Sequence, residues 1–129
     1  MPKNLWGDLG SIKAERTPTT VLREQAAALG PLTKGVLRGN VETGQRYGRF
    51  SATLSIVAPA VNDYEFAVAE ISYGINLYPV SLVADWEKNQ RDSTVECEDE
   101  EALTAALEQI LTSDRVRRVI TSLIAQSNS

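Results

Sequence analysis

Between positions 49 and 58 the chain alternates with period two. Phe50, Ala52, Leu54, Ile56 and Ala58 fall on one side, and Arg49, Ser51, Thr53 and Ser55 on the other. Extended backbone sends successive side chains to opposite faces, so this pattern makes one apolar and one polar face. A helix turns by about 100° per residue and would scatter the same set around its axis. The segment therefore has to be a half-buried strand. A strand of this kind needs partners along its edges and a second layer on its apolar face.

Partners are at hand on both sides. Leu37, Gly39, Val41 and Thr43 alternate with Val36, Arg38, Asn40 and Glu42, which predicts a first strand, with residues 44–48 as a turn. Residues 64–73 carry apolar side chains on both faces: Phe66 and Val68 on one, Ala67, Ala69 and Ile71 on the other. That suits a central strand. Residues 77–84 predict a fourth strand, with Tyr78, Val80, Leu82 and Ala84 on one face. Pro79 lacks a ladder donor, so this strand is expected at an edge or with an irregular start. Trp86 opens a polar loop over residues 86–92, and residues 93–97 supply a short fifth strand.

The second layer comes from both ends of the sequence. Thr17-Pro18 is a helix start, with a hydroxyl cap and proline at the first helical position. Val21, Leu22, Gln25, Ala26 and Leu29 follow at helical spacing, and Gly30-Pro31 is expected to stop the helix. Leu103, Ala106, Leu107, Ile110 and Leu111 mark a second helix. Thr112-Ser113-Asp114 recaps the chain, and Val116, Val119, Ile120, Leu123 and Ile124 mark a third. The expected fold is α+β. An antiparallel meander of about five strands carries one N-terminal and two C-terminal helices on one face. With 129 residues, one core is expected. The expected organisation is an N-terminal arm over residues 1–17 and a single α+β domain over residues 18–129.

Composition narrows function mostly by exclusion. The chain has no histidine and one cysteine, Cys97, so the usual general bases, nucleophiles and transition-metal ligands are scarce. Glu96 and Glu98 flank Cys97 and disfavour its thiolate, and no histidine is present to activate it. The glycines at 35, 39, 44 and 48 fit neither a dinucleotide nor a phosphate-loop spacing. The acidic run Glu98-Asp99-Glu100-Glu101 lacks the spaced loop of a calcium site and stands where a helix N-terminus favours negative charge. No catalytic, metal or cofactor-binding residues are assigned, and an enzyme is not expected. No apolar run is long enough to cross a bilayer, and the first residues lack a secretory pattern. A cytoplasmic location without membrane contact is the expectation.

Charge is unevenly spread: residues 1–50 carry +4 and residues 51–129 carry −8, for a net −4. Lys34, Arg38, Arg46 and Arg49, with Tyr47 and Phe50, form a weak basic-aromatic set near the first hairpin. Arg115, Arg117 and Arg118 crowd the start of the third helix, the unfavourable end for cations. Pairing with the acidic run, Glu108 or Asp114 is expected there, with an anionic partner as the alternative. Glu70, if covered by the helices, would need Arg38 or Arg49 as partner.

The arm holds the best candidate for function. Leu5, Trp6, Leu9 and Ile12 put one large aromatic and three aliphatic side chains in a segment whose Gly7 and Gly10 oppose a strong helix. Ser51, Thr53 and Ser55 on the polar sheet face, and Trp86, complete the expected partner-binding set. The leading expectation is a small non-enzymatic protein–protein interaction domain: an adaptor, an inhibitor, an immunity-type partner or an assembly subunit. Its partner would be another protein or a second copy in a homodimer. The alternatives are a ligand-binding or enzymatic domain using Glu70, Arg38 and Arg49, and a nucleic-acid-binding module on the first hairpin.

Overall fold

The structure is a computed structural model that describes residues 3–90 and 92–129. Met1 and Pro2 of the arm, and Arg91 of the polar loop, lie outside the described residues. Five strands pair in sequence order as one antiparallel sheet: β1 (Arg38–Arg46), β2 (Arg49–Ala58), β3 (Tyr64–Tyr73), β4 (Val80–Ala84) and β5 (Val95–Cys97). Helix α1 (Pro18–Leu32) precedes the sheet, and α2 (Glu100–Leu111) and α3 (Asp114–Ser127) follow it. The fold is the α+β meander that the alternation implied, with one N-terminal and two C-terminal helices.

The core lies between the helices and one sheet face. Leu22 of α1, Leu103 and Leu107 of α2, and Val116 and Leu123 of α3 pack with Ala52, Leu54, Ile56 and Ala58 of β2. The caps are those the sequence implies. The Thr17 side chain accepts from the Thr20 amide, Asp99 from Ala102 and Ser113 from Val116. None of the described helices is long and apolar enough to cross a membrane.

Four local features depart from the sequence reading. Helix α1 does not stop at Gly30-Pro31 but runs to Leu32. The last turn survives the missing proline donor because Thr33 donates backbone and hydroxyl hydrogens to the Leu29 and Gly30 carbonyls. Gly35, at φ 83°, then returns an amide to Gly30. The first turn is also tighter than expected. Strands β1 and β2 zip to Arg46 and Arg49, leaving only Tyr47 and Gly48, both at positive φ, as a two-residue hairpin turn.

Strand β4 begins after Pro79, so the proline stays out of the ladder and the strand sits inside the sheet between β3 and β5. The fourth departure is a bulge. Leu54 pairs with Ala69 but Ser55 pairs with Ala67, so Val68 is an extra residue in β3. The bulge reverses the alternation of β3. Phe66 faces the helices before it, and Ala69, Ile71 and Tyr73 face them after it.

Candidate functional site

The arm stands clear of the domain. Asn4 donates from its side chain to the Gly7 carbonyl and accepts from the Trp6 amide, which closes a local turn. Asp8 caps a short 3-10 turn, Leu9–Ser11, by accepting from the Gly10 amide. These bonds join arm residues to one another. Leu5 is 87% exposed, Trp6 80%, Leu9 54% and Ile12 67%. Four large apolar side chains within eight residues is more exposed hydrophobic surface than a short segment usually carries.

Arg16 anchors the point where the arm meets the domain. Its guanidinium lies 2.7 Å from Glu24 of α1 and 3.0 Å from Glu100 at the start of α2. One side chain thus ties the N-terminal helix to the C-terminal pair. The hydrogen bond from Arg16 holds the Glu24 carboxyl below its usual range, and the two carboxylates raise the already high pKa of the guanidinium. Glu100 therefore both sits in the first turn of α2, where its charge is favoured, and closes an ion pair. Close by, burial pushes the Tyr78 phenol up, with the Glu100 charge adding to the shift. Its hydroxyl oxygen has no hydrogen-bond partner among the described residues.

Beyond Arg16 a groove of about 750 Å³ opens between α1 and the α2–α3 pair. Its floor is the core face of the sheet at Leu54, Ile56 and Val68, beside the bulge. Leu29, Leu111 and Ile120 form half-buried walls, and Leu32, 79% exposed, stands at the far end. Glu24, Glu100, Glu108 and Arg117 line the rim. Nothing in the sequence pattern announced this groove. It depends on how far apart the helices settle, and spacing along one helix does not encode that.

Of the other expected partner-binding residues, only Ser55 borders the groove. Ser51 and Thr53 are half-exposed on the sheet face away from the helices, whereas Ser55 is only 5% exposed. Trp86 does not stand free in its loop. Its ring stacks on Phe66 at 6.0 Å, and the Arg115 guanidinium lies 5.3 Å from its centroid. Arg115 thus meets an aromatic face rather than a carboxylate. Among the described residues the ion pairs are Arg16–Glu24, Arg16–Glu100 and Lys88–Asp85, and none involves Arg115, Arg117 or Arg118.

The carboxylate–arginine set considered for ligand chemistry does not meet in the groove. The bulge at Val68 turns Glu70 onto the sheet face away from the helices, in a row with Glu42, Thr53 and Val83. Arg49 donates to Ser72 on that face, and Arg38 is exposed on β1. Arg46 of the basic set stacks over Tyr47 at the hairpin tip, 5.1 Å from the ring centroid. Cys97 is buried, and burial, with Glu96 and Asp99 nearby, raises its thiol pKa. Among the described residues no three His, Cys, Asp or Glu side chains are grouped to hold a metal ion.

No protein-family model matches the chain, and neither a curated protein nor a solved structure shows significant similarity to it.

Proposed function

We propose that this chain is a non-enzymatic protein–protein interaction domain that docks through its N-terminal arm. One observation carries the reading. Leu5, Trp6, Leu9 and Ile12 are exposed, and none of them belongs to the domain's hydrophobic core. Tryptophan with flanking aliphatic side chains is the composition that anchors interfaces, because a large rigid ring buries much area at little entropic cost. Trp86 is committed to Phe66 and Arg115 in this reading and is not an anchor. Residence in the cytoplasm belongs to the same proposal, supported by a lone buried thiol and no possible intrachain disulfide.

Affinity capture with the tagged full chain and with its Leu5→Ser/Trp6→Ser variant tests the reading. A stoichiometric partner, foreign or self, retained by the native sequence and lost by the variant supports it. Equal recovery by both removes the arm from the interface.

A further inference from the structure

We propose that the groove between α1 and the α2–α3 pair receives the N-terminal arm of a second copy of this chain, giving a two-fold, arm-exchanged dimer. The inference rests on the docking-arm reading and names the partner. The molecule carries two incomplete apolar surfaces, a projecting arm and an open groove. Each lacks what the other supplies.

Length agrees. Helix α1 has 15 residues and runs about 22 Å along the groove from the Arg16 end to Leu32. Residues 5–12 of the arm span at most about 26 Å extended, and less with the 3-10 turn at Leu9–Ser11.

Charge agrees as well. Lys3 and Lys13 bracket the apolar run, with Asp8 between them. On the groove rim Arg16 already engages Glu24 and Glu100, which leaves Glu108 for a lysine and Arg117 for the aspartate.

The area is that of a stable complex. Covering the four exposed arm side chains removes roughly 500 Å² per arm. With the groove lining included and the contact doubled by symmetry, the interface reaches roughly 1,500 Å². A second copy is favoured over the chain's own arm by the anchor. Arg16 is pinned to both walls at the groove mouth, and the arm beyond it is bonded to itself and exposed.

Sedimentation velocity on the full chain tests the exchange. Trp6→Asp and Leu32→Glu are both placed at exposed positions, so neither threatens the core. The native chain should pass from monomer to dimer as concentration rises through the micromolar range. Each variant should weaken the dimer by about tenfold or more. An equimolar mixture should associate more tightly than either variant alone, because one of its two contacts joins the intact arm of Leu32→Glu to the intact groove of Trp6→Asp.

A native chain that stays monomeric overturns the exchange, as does a dimer that neither substitution weakens or a mixture that associates no more tightly than either variant. A monomer that still captures a foreign protein through Leu5 and Trp6 leaves the docking-arm reading standing and removes only the second copy.

Discussion

Gly39 of β1 lies directly beneath Ala26 of α1, so close that a Cβ at position 39 would stand 2.6 Å from the Ala26 carbonyl oxygen and 2.7 Å from its Cβ. Both positions are small because helix and strand backbones approach each other there. The contact fixes where α1 crosses the sheet, and with it one wall of the groove. Gly39→Ala should therefore destabilise the domain by about 1–3 kcal/mol, the usual cost of overpacking. Urea unfolding of Gly39→Ala measures that cost, which Ala26→Gly would not relieve because the nearest atoms of Ala26 are backbone. An unchanged midpoint for Gly39→Ala would mean that α1 shifts freely over the strand.

The Arg16–Glu24 pair should leave a signature in pH. The Glu24 carboxyl is held below its usual range in the folded state. Its contribution is therefore fully present above the unfolded-state pKa and is lost as pH falls through the lower folded-state value. Native chain and Glu24→Gln should differ at neutral pH, by a small margin because the pair is half-exposed, and converge in acid. Added salt should narrow the neutral-pH gap. A gap that persists in strong acid would point to packing rather than charge.

Tyr47 occupies a position that its side chain does not favour. At φ 52° it shares a two-residue turn with Gly48, and asparagine adopts that backbone more readily. Tyr47→Asn should stabilise the domain by a few tenths to about 1 kcal/mol, after the loss of the exposed Arg46 contact. A lower thermal midpoint for the variant would show that the ring–guanidinium contact outweighs the backbone strain.

Much of this fold could be read from residues alone. Thr17-Pro18, Asp99 and Ser113 are caps by chemistry, and the alternation at 49–58 leaves β2 no other conformation. What stayed hidden depends on registration between segments. The extra residue Val68 leaves no mark in a strand that is apolar on both faces, yet it decides which side of the sheet carries Glu70. Likewise, Gly44 reads as a turn residue until the pairing places it opposite Ser51 in the ladder. The Arg16–Glu100 bridge joins residues 84 positions apart, a link that local pattern cannot show. The arm was the opposite case. Its apolar residues were plain in the sequence, and only the structure could say that they remain uncovered.

The most direct test compares the full chain with residues 16–129, which keep Arg16 and its pairs with Glu24 and Glu100. Urea unfolding is measured where both proteins are monomeric, and association over a rising concentration series. If the arm is a docking element, truncation leaves the unfolding midpoint and slope nearly unchanged and abolishes association. If residues 16–129 unfold at markedly lower urea or fail to fold, the arm is part of the domain's own core and the docking account is wrong.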